Sequence, residues 1–364
     1  MDGVRILHIS DLHLDSPVMG LDKQQRAVRR QELRQSFAGV LELAAARQVQ
    51  VVLLPGDLFD GGNPDKSTVT FLQNTFEKYS GMRFFLSPGN HDPLSSGVYE
   101  AFADIPQVTV FRMEISCVEL PDWNARVYGA GFAHAQQSQP LLHGFRAADD
   151  GMVNLMALHG EVMQGSGGES AYNPIFLQDI ADSGLDYLAL GHTHEFSGIL
   201  QTGDTCYAYC GAHEGRGFDE CGEKGVILGT VGKKQVDLEF VPTCLRQYHR
   251  IAVDVSDCAT VEDVLEKIGA QTHGRDLYRI ALTGRFDGEL SIPVLQNGTD
   301  AYFAKFVNET RPRYDLQAAA QDYTLKGLFA KEILRRMETA DESQKAALLD
   351  AADTGMRLFE KGGA

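Results

Sequence analysis

Five short segments of this chain carry side chains able to hold divalent cations: Asp11-Leu12-His13, Gly56-Asp57, Gly89-Asn90-His91-Asp92, His159-Gly160 and Gly191-His192-Thr193-His194. Carboxylate, imidazole and amide oxygen together suit ions such as manganese, iron or zinc, and no thiolate accompanies them. The set is too large for one ion. Two ions sharing a carboxylate use it fully, and such a pair, about 3.5–4 Å apart, clamps the attacking and leaving oxygens of a phosphoryl transfer. A hydroxide held between the ions is then the expected nucleophile. Each segment alone is weak evidence. Gly-Asp after a strand is usually a turn, and Asn-His-Asp reads equally well as a polar loop. The order and placement of the five carry the argument.

Each segment closes an apolar run, at residues 4–9, 49–54, 83–86, 154–158 and 187–190. Such runs read as buried strands, and in α/β sheets sites collect at the carboxyl ends of strands. Between them, residues 24–47 set Val28, Leu33, Phe37, Val40, Leu41 and Ala44 at helical spacing, and residues 68–79 are helical too. This alternation predicts a layered α/β core. Residues 198–201, 205–209, 226–231 and 235–241 read as short strands between Gly-rich turns, an antiparallel sheet completing the first domain.

A boundary is expected within residues 242–247, and a smaller α+β unit beyond it. There Ile251, Val253 and Val255 alternate as a strand face, as do Tyr278, Ile280 and Leu282. Thr260 is placed to cap a helix with the stripe Val261, Val264, Leu265 and Ile268. Two further helices carry Leu325, Phe329, Ile333 and Met337, then Leu348, Ala352, Met356 and Phe359. The expected division is 1–243, 244–320 and 321–364.

The 364 residues are 43% hydrophobic, enough for a core without disulfide staples. The cysteines Cys117, Cys206, Cys210, Cys221, Cys244 and Cys258 form no CxxC pair and read as reduced, mostly buried thiols. The apolar run at residues 4–9 is too short for a signal peptide. No stretch approaches the roughly 20 apolar residues of a membrane span. The expectation is a cytoplasmic chain with no membrane contact. A net charge of -17 counts against a general nucleic-acid coat protein, because phosphate contacts need Lys and Arg. It weighs against DNA as a substrate without excluding it, since bound cations offset charge locally. His8, on the strand face opposite Asp11, reads as a packing or hydrogen-bonding residue, and His134, His143, His249 and His273 lack ligand-like neighbours.

The ordered set DxH, GD, GNHD, a strand-end HG and GHTH resembles the calcineurin-like metallophosphoesterase superfamily. Residues 11–17, Asp-Leu-His-Leu-Asp-Ser-Pro, and 56–60, Gly-Asp-Leu-Phe-Asp, are similar to the nuclease subunit of bacterial SbcCD-type double-strand-break repair complexes, the YhaO-like branch in particular. Leu277-Tyr278-Arg279-Ile280 and Leu282-Thr283-Gly284 are similar to that group's capping domain. The resemblance implies a layered α/β metallophosphoesterase β-sandwich flanked by helices, with a C-terminal α+β cap and terminal helices. It assigns one ion to Asp11, His13, Asp57 and His194, and the other to Asp57, Asn90, His159 and His192, with Asp57 as the bridge. His91 would face the scissile phosphate, with Asp60 orienting it. Asp92 would fix the loop. His213 and Arg216 are substrate-contact candidates, though an exposed turn explains them equally well.

The activity so implied is DNA exonuclease or endonuclease cleavage in double-strand-break repair, with two divalent ions, manganese first and iron or zinc as alternatives. The implied partners are DNA, an SbcC-like coiled-coil ATPase docking on the Leu325, Phe329 and Ile333 stripe, and a second copy of the chain. Intramolecular packing is the bland reading of that stripe. Two rival functions stay open: a phosphodiesterase or phosphatase of small nucleotides, and a non-catalytic scaffold.

Overall fold

The structure, a computed structural model, describes residues 3–361 except 19, 164, 166, 167 and 288. Two compact units divide the chain, Met1–Tyr248 and His249–Ala364. The first runs β1 (Val4–His8), α1 (Lys23–Ala46), β2 (Val51–Leu54), α2 (Lys66–Lys78), β3 (Arg83–Leu86), β4 (Val108–Val110), β5 (Ser116–Leu120) and β6 (Ala125–Ala130). It continues through β7 (Val153–His159), β8 (Glu161–Met163), β9 (Pro174–Phe176), α3 (Leu177–Asp182), β10 (Tyr187–Gly191), β11 (Leu200–Thr202), β12 (Thr205–Tyr209), β13 (Gly225–Gly232) and β14 (Gln235–Pro242).

Two six-stranded sheets make this unit, ordered β14-β13-β1-β2-β3-β4 and β11-β12-β10-β7-β6-β5. Strand alternation sorts the side chains between two environments. Val4, Ile6, Leu53 and Phe85 of one sheet meet Leu155, Ala157, Tyr187 and Ala189 of the other in a core between the sheets. The alternate residues Leu7, Val52, Leu54, Phe84 and Leu86 face outward, where Phe37, Val40 and Leu41 of α1 and Leu72 and Phe76 of α2 cover them. Buried on both faces, these strands must be continuously apolar, and this makes them legible in sequence. Helix α1 starts at a capping box, Asp22 accepting from Gln25 N while the Gln25 side chain returns to the Asp22 backbone.

Strands β1, β2 and β3 are parallel neighbours, and so are β7 and β10, so the five ligand-bearing ends converge from two sheets. The stretch read as one antiparallel sheet is divided instead. The β13–β14 hairpin extends the first sheet through antiparallel pairing of β13 with β1. The second sheet gains β12, parallel to β10, with β11 antiparallel to β12. A local pattern of alternation does not reveal which sheet a strand will join.

The second unit contains β15 (Tyr248–Asp254, which begins at the boundary), α4 (Val261–Gly269), β16 (Leu277–Thr283), α5 (Ile292–Gly298), β17 (Phe303–Asn308), α6 (Leu316–Ala319), α7 (Leu325–Met337) and α8 (Glu342–Lys361). A three-stranded sheet, β15-β16-β17, packs on α4 and α5. Thr260 caps α4 in a capping box with Asp263. The stripe expected on α7 is divided. Ile333 is buried and Phe329 packs its ring on Phe359, whereas Leu325 is 71% exposed. The cysteines are all free, but only Cys210 and Cys258 are buried and Cys117 is exposed, which corrects the expectation of mostly buried thiols. No helix among the described residues is long and apolar enough to cross a membrane.

Candidate metal centre

The loops leaving β1 and β2 run side by side. Asp11 N donates to Gly56 O at 3.2 Å, His13 N to Asp57 O at 2.9 Å and Leu14 N to Leu58 O at 2.9 Å. These bonds hold Asp11, His13 and Asp57 in left-handed backbone, at φ 51°, 40° and 51°, and His192 sits at φ 110°. Such conformations cost on the order of 1–3 kcal/mol each and persist where the surroundings over-determine them. They turn the side chains inward instead of along the sheet. Glycine is required at two approaches. A methyl group on Gly89 would strike Asp57 Oδ1, and one on Gly56, itself at φ 93°, would strike the His159 ring.

The candidate ligand residues converge. Ligand atoms of Asp11, His13 and His194 lie within 4.8 Å of one another, as do those of Asp11, Asp57 and His159. Asp57 Oδ2 stands 3.6 Å from both His13 Nε2 and His159 Nε2, while its Oδ1 accepts from His91 N at 3.0 Å. Asn90 Oδ1 lies 2.8 Å from His159 Nε2 and 3.2 Å from His192 Nδ1. Asp11 accepts from the Ser10 hydroxyl at 2.5 Å and from His192 N at 3.1 Å. Asp11, His13, Asp57 and His159 are buried.

The protons point outward from this cluster. Pro55 O accepts from His159 Nδ1 at 3.0 Å, leaving Nε2 with a lone pair toward Asp57 and Asn90. Glu220 Oε1, at 2.8 Å, accepts from His194 Nδ1, so the neutral His194 ring also turns its Nε2 lone pair inward, 3.2 Å from His13 Nε2, although the Glu220 bond and the Asp11 charge outweigh burial and raise the pKa of this ring. Burial lowers the pKa of His13 to about 3 and, with repulsion from His159, that of His192 to about 4, and burial lowers His159 as well. Burial, reinforced by the charges of Asp92 and Asp11, pushes Asp57 well above the usual carboxylate range. A buried concentration of neutral imidazoles and a carboxylate that resists ionisation is costly by itself and is relieved by cations. The donor set therefore fits divalent ions.

His91 lies at the rim. It is 45% exposed, with Nδ1 2.9 Å from Asp60 Oδ1. The same Asp60 oxygen stands 3.5 Å from His13 Nδ1. Its pKa is held down to about 2, first by the facing His13 ring and further by the charge of His91. Asp92 is buried and accepts from Phe59 N at 3.0 Å, Gly89 N at 3.0 Å and Tyr99 OH at 2.8 Å, tying the His91 loop to the Asp57 loop.

His213 is not available for substrate contact here. It is fully buried and donates from Nε2 to Leu33 O at 3.2 Å, and burial lowers its pKa to about 4. The residue following Ala212 turns into the α1 packing and away from the rim. Arg216 stays near the site, but its guanidinium is paired with Glu220 beside His194. Three participants escaped sequence reasoning. Ser10 and Glu220 brace ligand residues, and Asp15 accepts from Thr68 Oγ1 at 2.7 Å and Asp65 N at 2.9 Å to anchor the first loop. Asp15 at least lies within the 11–17 segment, and Ser10 immediately precedes it. His8, as expected, is buried and bonded to Tyr187 OH and Leu190 O.

Residues 4–196 match the calcineurin-like phosphoesterase family. The chain is 28% identical to the uncharacterized metallophosphoesterase YhaO of Bacillus subtilis over 72% of this chain and 67% of the relative. It is 23% identical to one of the subunits of the nuclease SbcCD from Escherichia coli, over 95% of this chain and 96% of that protein. It is 22% identical to the DNA double-strand break repair protein Mre11 of Saccharolobus solfataricus, over 77% and 75% respectively.

Proposed function

Since the chain belongs to the calcineurin-like phosphoesterases, we propose that it is a divalent-metal-dependent phosphodiesterase that cleaves DNA. One observation carries the reading. Asp57 Oδ2 is equidistant, at 3.6 Å, from imidazoles of two separate ligand groups, and the exposed His91 stands beside them at the rim. In this reading Asp11, His13, Asp57 and His194 hold one ion and Asp57, Asn90, His159 and His192 the other. Two such ions supply Lewis acidity to a phosphate and activate water for attack on it.

The chain's own residues do the rest. Asp57 offers Oδ2 to both ligand groups, with Oδ1 fixed by His91 N. Asp60 accepts a hydrogen bond from His91 Nδ1–H, which turns Nε2 toward the phosphate; with the ring doubly protonated, Nε2–H gives its proton to the departing sugar oxygen and leaves the neutral Nδ1–H ring on Asp60. Asp92 keeps the two loops in register. DNA is favoured as substrate because two of the relatives are part of a nuclease and a DNA double-strand break repair protein. The sequence resemblance adds an SbcC-like coiled-coil ATPase as the proposed partner and manganese as the proposed ion, with iron or zinc as alternatives.

The net charge of -17 favours a second substrate class, small phosphodiesters, which need no basic path across the surface. An assay with manganese on duplex ends, hairpin DNA, single strands and a chromogenic phosphate bis-ester separates the two. Cleavage of DNA supports the main reading. Turnover of the bis-ester alone, with all DNA intact even after a candidate ATPase is added, would replace it with the second.

A further inference from the structure

We infer that Glu220 is a positioning residue that sets the ring tautomer of His194 and thereby the affinity of one of the two cation positions; this rests on the metal-centre reading above. Glu220 sits in the loop between β12 and β13, 7% exposed, with Oε1 2.8 Å from His194 Nδ1. A carboxylate oxygen can only accept, so Nδ1 must carry a proton, and in the neutral ring that metal binding requires Nε2 keeps the lone pair. That lone pair is the one that faces Asp11 Oδ1, at 3.8 Å, and His13 Nε2, at 3.2 Å. With the opposite tautomer, Nε2 would present a hydrogen to the cation position and could not coordinate.

Arg216 makes the assignment less symmetrical than it first looks. Its terminal nitrogen lies 3.0 Å from the same His194 Nδ1, and a guanidinium can only donate. Were Nδ1 to accept from Arg216, the ring proton would move to Nε2. The two donors avoid conflict by sharing Glu220, whose Oε1 accepts from both His194 Nδ1 and the Arg216 guanidinium, while its Oε2 accepts from Arg216 N at 2.9 Å. Removing the carboxylate leaves the guanidinium as the only neighbour of Nδ1 in this group and favours the wrong tautomer.

The loop is built to hold this geometry. Ala212 N donates to His194 O at 3.2 Å, and Lys224 Nζ to the same carbonyl at 3.0 Å. Glu214, fully buried, accepts from Arg29, Leu245 N and Arg246 N, locking the loop to α1 and to the segment after β14. Glu220 is therefore presented from a fixed support.

The test is calorimetric titration of the full-length protein with manganese, beside ¹⁵N spectra of its histidine rings in the metal-free state. Glu220→Ala should weaken one ion by about 10–100-fold, the usual effect of losing such a hydrogen-bond partner, while the other stays close to wild type. The surviving ion also reports that the variant has folded. The His194 signal should change from Nδ1–H toward Nε2–H. Glu220→Gln keeps a neutral acceptor and should lie nearer to wild type than to the alanine variant. Wild-type binding of both ions by Glu220→Ala, equal loss of both, or an unchanged tautomer would overturn the inference. Absence of any manganese binding by the wild type would instead overturn the metal-centre reading itself, and this inference with it.

Discussion

Oδ1 of Asp60 lies 2.9 Å from Nδ1 of His91, the nearest approach of a carboxylate to that exposed ring among the described residues. The contact fixes which nitrogen of His91 faces the rim, and it makes the functions of the two residues separable. His91→Ala should lower turnover by about 10²–10⁴-fold, the range of a lost proton donor, with two manganese ions still bound per chain. Asp60→Ala should lower it by about 10–100-fold, because the ring remains but is no longer oriented. Activity and metal stoichiometry measured on both variants check this. A fully active His91→Ala would remove His91 from the mechanism.

Asp57→Asn should separate stability from function. The native carboxyl is buried, crowded by Asp92 and Asp11, and held at φ 51°. Asparagine tolerates that backbone and carries no charge. The metal-free variant should therefore be more stable than the metal-free wild type, by about 0.5–2 kcal/mol. It should also lose the rise in melting temperature that manganese gives the wild type. Melting curves with and without chelator decide it, and a less stable metal-free variant would contradict the argument.

Acid should act through His8. Its Nε2 donates to Leu190 O at 3.1 Å and its Nδ1 accepts from Tyr187 OH at 2.8 Å, and the second of these bonds needs the neutral ring. Burial lowers its pKa from 6.5 to about 3. Between those values the unfolded chain takes up a proton that the folded chain refuses. The contribution of His8 is thus complete above about pH 6.5 and is lost toward pH 3, at up to about 1.4 kcal/mol per pH unit. His8→Gln cannot titrate, so its stability should fall less steeply from pH 7 to pH 5. Parallel slopes in denaturant titrations would refute this.

Tyr99 offers a control outside the chemistry. Its hydroxyl donates to the buried Asp92 at 2.8 Å. Tyr99→Phe should cost about 1–3 kcal/mol of stability, since Asp92 loses one of its donors while staying buried. Turnover per folded molecule should change far less than in His91→Ala. A loss of activity as large as that of His91→Ala, with the fold intact, would make the loop clamp part of catalysis.

Much of the site was legible because its strands are buried on both faces. The β1, β2, β3, β7 and β10 segments are apolar runs broken by a single polar cluster, and each cluster proved to be at a strand end. Glu220 was not legible. It is one acid among several in the polar stretch from Glu214 to Glu223, and only the folded loop brings it to His194. The strand β5 was missed because it is an exposed edge with little apolar signal, and β6 because its buried residues include Arg126, paired with Glu119 and Asp150. On α7 the periodicity was real, but a helical stripe does not say which of its residues another helix will cover. Leu325 was left open where Ile333 was not.

The convergence of β1, β2 and β3 with β7 and β10 also bears on how the molecule comes apart. Asp11 and Asp57 belong to one sheet, His159 and His192 to the other, so anything that draws these four together rivets the two halves of the sandwich. Deprived of that rivet, the sandwich should begin to breathe at this end, and amide protons of β1 and β10 should exchange with solvent sooner than those at the opposite rim.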